Sequence, residues 1–73
     1  MKPIKVIFDK VGNTLNVWFD DPKKEFACEE TSEEIVLVKN KAGKVIGFEV
    51  LNYLSARESR NIKKLPVEAA ILA

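Results

Sequence analysis

The side chains best suited to chemistry in this 73-residue sequence are carboxylates. Between Asp20 and Glu34 seven acids stand against two lysines, and four of the seven (Glu29, Glu30, Glu33 and Glu34) lie in the single stretch "CEETSEE". Crowded carboxylates can gather a hard cation through their oxygens. A dedicated calcium loop, however, spaces Asp, Asn and Gly at fixed intervals, and this stretch contains none of the three. The four glutamates are therefore read as an acidic edge and as candidate contacts for a protein partner, and no metal site is assigned.

Other chemistries fail for want of residues. The sequence has no histidine, so it holds no Ser-His or Cys-His pair and no histidine metal ligand. Cys28 is its single cysteine, so it makes neither an internal disulfide nor a zinc knuckle. The two glutamates that follow it oppose a thiolate. "GKVIG" is not a phosphate-cradling loop. No catalytic residue and no cofactor is assigned, and the chain is expected not to be an enzyme.

A second charge block has the opposite sign. Between Lys39 and Lys64 seven bases face two acids. Arg57, Arg60, Lys63 and Lys64 form a basic stripe that could track phosphates if all four share a helix. The net charge of only +1 and the lack of aromatic residues among these bases make nucleic-acid binding the alternative to protein binding. Charge separated along a chain in this way steers oppositely charged partners.

The elements that position these groups follow from side-chain periodicity. In "IKVIFDKVGNTLNVWF" the residues Ile4, Val6 and Phe8 alternate with Lys5, Ile7 and Asp9, and Leu15, Val17 and Phe19 with Asn16 and Trp18, so the segment reads as a β-hairpin. Gly12-Asn13 supplies its connection. Setting Phe8 opposite Leu15 brings Val6 to Val17 and Ile4 to Phe19, all on one face. "DDPKKEF" reads as a turn, since Pro22 has no N–H for a ladder. "FACEE" reads as a short strand, and "EEIVLVKN" and "KVIGFEVL" as two more joined at Gly43, with their mutual register left open.

Beyond Leu51 the alternation stops. Asn52 or Ser55 could cap a helix through "NYLSARESRNIKKL", with Leu54, Ile62 and Leu65 near one stripe and Pro66 as its end. Residues 66–73 suit a short helix or an edge strand.

In "KVIGFEVL" period two puts Ile46, Phe48 and Val50 on the face of Phe8 and Leu15, which is taken as the core. Gly47 and Glu49 fall on the opposite face. Glycine in a strand leaves room for a close neighbour, and Trp18 is a candidate to cover it. Glu49 is expected to pair with a lysine or arginine. Alternatively Trp18, Gly47 and Glu49 mark a contact surface for a partner. With apolar residues on both faces the sheet needs two covers. One is the C-terminal helix and the other a second copy of the chain or a different protein.

"TLNVWF" and "NKAGKVIGFEVL" together resemble the domain-of-unknown-function family 2283, which comprises small bacterial and archaeal proteins. Its pattern is a Tyr/Phe-Asp hairpin followed by Asp-x-x-Gly-x-x-x-Gly-x-Glu. Phe8-Asp9 matches the first part, and Asn40, Gly43, Gly47 and Glu49 the second, with asparagine in place of the usual aspartate. The resemblance runs from Ile4 to about Tyr53. It implies a small antiparallel sheet with a C-terminal helix, supplies no enzymatic activity, and carries the expectation of an antitoxin beside a small ribonuclease-like toxin.

The expected fold is thus α+β, a single domain over residues 1–73. It is a small antiparallel β-meander of four to five strands (core 4–53) with a C-terminal helix on one face and a tail (54–73). The expected role is a protein-interaction module, antitoxin-like, binding a basic partner or pairing with itself as a homodimer. The aliphatic run Ile35–Val38 is too short to cross a membrane. The N-terminus has no apolar leader and the lone cysteine fits a reducing compartment, so a cytoplasmic location is expected.

Overall fold

A computed structural model describes residues 2–73. Five antiparallel strands form one sheet: β1 (Lys5–Asp9), β2 (Thr14–Trp18), β3 (Ala27–Glu30), β4 (Ile35–Lys39) and β5 (Val45–Val50). A single helix, α1 (Ala56–Asn61), follows. No described helix is long and apolar enough to cross a membrane.

The expected α+β class is therefore found, but the strands are not an unbroken meander. Their order is β1-β2-β5-β4-β3. One local hairpin, β1-β2, and one local three-stranded unit, β3-β4-β5, are joined by the long-range pairing of β2 with β5. This order makes β1 and β3 the two edges and buries the β5 backbone at the centre.

The first hairpin has the register its side chains require, with Val6 opposite Val17 and Phe8 opposite Leu15. The Ile4–Phe19 pair lies beyond the paired strand. Asn13 takes the left-handed conformation in the connection, at φ 53°. Asp9 Oδ1 accepts from the Val11 and Gly12 amides at 3.0 and 3.2 Å, closing the turn. The β4-β5 connection uses the same device. Asn40 Oδ1 accepts from Ala42 and Lys44 N–H, both at 3.0 Å, and Gly43 supplies φ +83°.

The register left open between β4 and β5 sets Leu37 opposite Phe48 and Val38 opposite Gly47. A bulge follows between Val38 and Lys39. It leaves Ile46 unopposed, and the Ile46 carbonyl accepts from Phe19 N–H at 2.7 Å.

The core differs from the expected one. The buried apolar residues are Ile46, on the Phe48 face, and Val36 and Val38, on the opposite, Trp18 face. Phe48, Val50, Ile35 and Leu37 stay half-buried. The sheet therefore has two partly covered faces, as apolar residues on both sides required, and the Phe48 face is not the sole core. Periodicity assigns residues to faces but carries no information on which face receives a cover.

The C-terminal segment covers the β1-β2 end of the Phe48 face. Asn13 clamps it, donating from Nδ2 to the Leu54 carbonyl at 2.7 Å and accepting from Leu54 N–H at 3.0 Å. Tyr53 packs its ring against Phe8 with centroids 6.1 Å apart. Ser55, not Asn52, caps α1 in a capping box with Glu58.

The helix is shorter than expected. It ends at Asn61, because Ile62 takes extended backbone at ψ 130°. None of its residues is buried, so no packing supports a longer helix, while Ile62 and Leu65 beyond it are half-buried. Residues 66–73 form neither the helix nor the strand considered for them, and are exposed throughout.

Candidate interaction surface

The four glutamates singled out from the sequence lie on and beside β3, the outermost strand. All four β3 residues are exposed. Alternation sends Glu29 to the Phe48 face, opposite Leu37, and Glu30 to the Trp18 face, opposite Val36. Glu33 and Glu34 sit in the connection to β4. The four carboxylates thus ring one edge of the sheet and do not converge on one point.

They differ in engagement. Lys39 Nζ lies 2.5 Å from Glu29 Oε2. Glu34 Oε1 accepts from Asn52 Nδ2 at 3.1 Å. Among the described residues, Glu30 and Glu33 have no ion-pair or hydrogen-bond partner for their carboxylates. No group of three or more Cys, Asp or Glu side chains converges as a metal ligand set among the described residues.

Two further residues complete this edge. Phe26, immediately before β3, is 66% exposed. Its exposure could not be read from the sequence, where it simply shares parity with Cys28 and Glu30. The Cys28 thiol donates to Glu25 Oε2 at 3.6 Å. Partial desolvation, then the Glu25 and Glu49 charges, raise its pKa, so the thiolate is disfavoured, through these groups rather than the following Glu29 and Glu30.

The other three partner-contact candidates lie on the Trp18 face, on the central strands. Trp18 sits opposite Gly47, and its ring closes over that glycine. A Cβ at position 47 would come 3.0 Å from Trp18 Cε3 and 2.6 Å from the Val17 carbonyl oxygen. Gly47 is thus required by the approach of β2 and by the tryptophan cover, and Trp18 serves the fold.

Glu49 has no such internal role. It stands between Asn16 and Val36, half-buried, on the same row of the face as Glu30. The lysine or arginine expected to pair with it is not there: none of the ion pairs among the described residues involves Glu49. The basic residues of the second charge block lie instead at the end of β4, in the β4-β5 turn and in the C-terminal segment.

The nucleic-acid candidates are split by the early end of the helix. Arg57 and Arg60 are exposed on α1, one turn apart. Lys63 and Lys64 lie past its end and line a groove beside β1. The continuous basic stripe expected from the sequence is therefore broken.

Among the residues that carry the family pattern, Asp9 and Asn40 close turns, Gly43 supplies a positive φ, Gly47 admits Trp18 and Phe8 packs on Tyr53. Each has a structural task except Glu49. No curated protein and no solved structure matches the chain. A family model described as "Protein of unknown function (DUF2283)" matches residues 5–53, the five strands and their connections, and leaves α1 and the tail outside. The chain belongs to this DUF2283 family.

Proposed function

We propose that this chain is a non-enzymatic interaction module whose acidic edge strand, β3, is completed by a strand of a basic protein. The observation that carries the reading is the state of that edge. β3 is exposed along its whole length, begins beside a 66% exposed phenylalanine, and is flanked by carboxylates on both faces and at its far end. An unpaired edge offers a row of backbone donors and acceptors that a partner strand can satisfy. Main-chain bonds then supply affinity, and a pocket for Phe26 with bases opposite Glu30 and Glu33 would supply specificity.

The partner class suggested by the sequence resemblance is a small ribonuclease-like toxin. Its RNA-binding surface must be basic, and the carboxylates of β3 and its loop would compete for that surface. Glu49, in line with Glu30, extends the acidic area onto the Trp18 face. Complementary charge would set the association rate, and strand pairing the dissociation rate. The partnership would sit in the cytoplasm, where a single reduced cysteine is stable.

The test is capture from the native host with the tagged chain at low and high salt, with a variant bearing Glu29→Lys, Glu30→Lys, Glu33→Lys and Glu34→Lys in parallel. The expected result is a small basic protein held by the wild type at low salt, released at high salt and not held by the variant. Equal capture by the variant, or capture of nucleic acid alone, would overturn the reading.

A further inference from the structure

The opposite edge of the sheet, β1, presents a different surface. The Phe19 N–H points to β5. Alternation along β2 therefore points the Thr14, Asn16 and Trp18 amides to β1. Lys5, Ile7 and Asp9, which face those residues, spend their backbone groups on β2. The N–H and C=O of Val6 and Phe8 then point outward. Among the described residues, no backbone hydrogen bond from outside the sheet reaches them. Nor is the edge filled: an open groove of ≈ 410 Å³ runs along it, lined by Val6, Ile7 and Phe8, by Ile62 and Leu65, and by Lys10, Lys63 and Lys64.

The sequence of this edge, Lys5-Val6-Ile7-Phe8-Asp9, is complementary to itself read backwards. We infer that β1 pairs antiparallel with β1 of a second copy about a two-fold axis through Ile7. In this register Lys5 faces Asp9 of the second copy, Val6 faces Phe8, and Ile7 faces Ile7. Val6 and Phe8 are the residues whose backbone groups are unspent, so the pairing satisfies them, while Ile7 forms the non-hydrogen-bonded pair in which side chains approach most closely.

Lys5, Ile7 and Asp9 all lie on the Trp18 face, so the two ion pairs bracket the isoleucine pair. Asp9 Oδ1 is engaged by the turn amides, which leaves Oδ2 for the lysine. Ile7 is 49% exposed in the single chain, and the pairing covers it.

Two further observations favour a second copy as occupant. The chain exposes 6074 Å². A compact monomer of 8.2 kDa exposes about 4,500 Å². The exposed tail accounts for part of the surplus, and the open β1 edge with its half-exposed Ile7 contributes to the rest. By contrast, pairing β3 with itself about Glu29 would set Glu29 against Glu29, and pairing it about Cys28 offers no ion pair. Isologous pairing through β1 gives a closed dimer with one continuous ten-stranded sheet and an acidic β3 at each far end. The inference concerns the edge opposite the proposed partner site and stands whether or not β3 takes a partner.

The test combines mass with register. Sedimentation equilibrium of the full chain is expected to give twice 8.2 kDa, and Ile7→Lys, which sets two lysines on the axis, is expected to give the monomer with its β-sheet circular dichroism intact. In a Cys28→Ser background, Ile7→Cys should cross-link under mild oxidation. Lys5→Cys, whose copies lie roughly 14 Å apart along the strand, should cross-link slower by on the order of tenfold or more. A chain that stays at 8.2 kDa across the accessible concentrations, a polymer that grows with concentration, or equal cross-linking of both cysteine variants would overturn the inference.

Discussion

Gly47→Ala is the most informative single substitution in this sheet. The added Cβ would lie 2.6 Å from the Val17 carbonyl oxygen and 3.0 Å from Trp18 Cε3. The tryptophan ring can swing away, at the cost of its cover over Gly47. The Val17 carbonyl cannot, because it belongs to β2, held on both sides by β1 and β5. Overpacking of this kind costs about 1–3 kcal/mol, and a clash with backbone belongs near the top of that range. Against it stands about 0.5–1 kcal/mol recovered by replacing glycine in a strand. The expected net loss is about 2 kcal/mol, a large part of the roughly 3–5 kcal/mol that a core of this size provides.

The assay is urea unfolding followed by tryptophan fluorescence, since Trp18 is the sole tryptophan and reports on the site itself. With a slope near 1 kcal/mol per molar, the low end for a small chain, the midpoint should fall by about 2 M. Adding Trp18→Leu separates the two contacts, with unfolding then followed by circular dichroism. The double variant should retain most of the Gly47→Ala loss beyond that of Trp18→Leu, since the carbonyl contact remains. A Gly47→Ala protein as stable as wild type, within about 0.5 kcal/mol, would refute the packing argument and return Gly47 to the list of partner contacts.

Other consequences are open to the same methods. At Gly43 the constraint is φ +83° with no atom near a Cβ, so Gly43→Ala should cost about 1 kcal/mol in chemical unfolding and Gly43→Asn distinctly less; equal losses would mean that conformation is not the cause. Asn13→Ala removes both the left-handed residue and the bridge to Leu54, so amides of 54–65 should lose hydrogen-exchange protection before the sheet does; unchanged exchange would show that Ile62 and Leu65 hold the segment alone. Lys2 Nζ, then the Asp21 amide, hold Asp20 well below the ordinary carboxylate range. A depressed folded-state pKa stabilises the fold above the unfolded value near 3.8, and the contribution fades as pH falls through the folded value. Carbon-detected titration should therefore find Asp20 ionised below that pH, and Lys2→Ala should move its midpoint upward; an unshifted midpoint in wild type would remove the clasp.

The parts of the fold that were legible in the sequence are the local ones. Phe8 opposite Leu15 followed from parity, because this register sets Val6 on Val17 and Phe8 on Leu15 on one face, and a one-residue slip would not. Ser55, one of two caps considered with Asn52, and Gly43 were recognisable because a capping oxygen and a positive φ are demands of a few residues. The pairing of β2 with β5 was not, since Leu15 and Val50 lie far apart in sequence and period two does not say which strands are neighbours. For the same reason the bulge at Ile46 and the burial of Val36 and Val38 on the Trp18 face stayed hidden. The helix was overestimated because Leu54, Ile62 and Leu65 share a stripe. The structure brings Ile62 and Leu65 in from extended chain instead.

The candidate surface was legible as composition and not as geometry. "CEETSEE" announced an acidic segment, but only the strand order makes it an edge. Trp18, Gly47 and Glu49 were grouped correctly on one face, yet the first two turn out to satisfy each other. Glu49 lacks the base assigned to it because the nearest strand neighbours, Asn16 and Val36, carry no charge. An expected ion pair could not be judged without knowing those neighbours.

The claim that β3 is the surface where a partner adds is tested most directly by amide hydrogen exchange of the 73-residue chain, free and bound to the basic protein it captures. Strand addition predicts that amides of Ala27–Glu30 exchange quickly in the free chain, at least those not bonded to β4, and become strongly protected in the complex. Unchanged exchange along β3, with new protection at α1 or on β2 and β5, would contradict it.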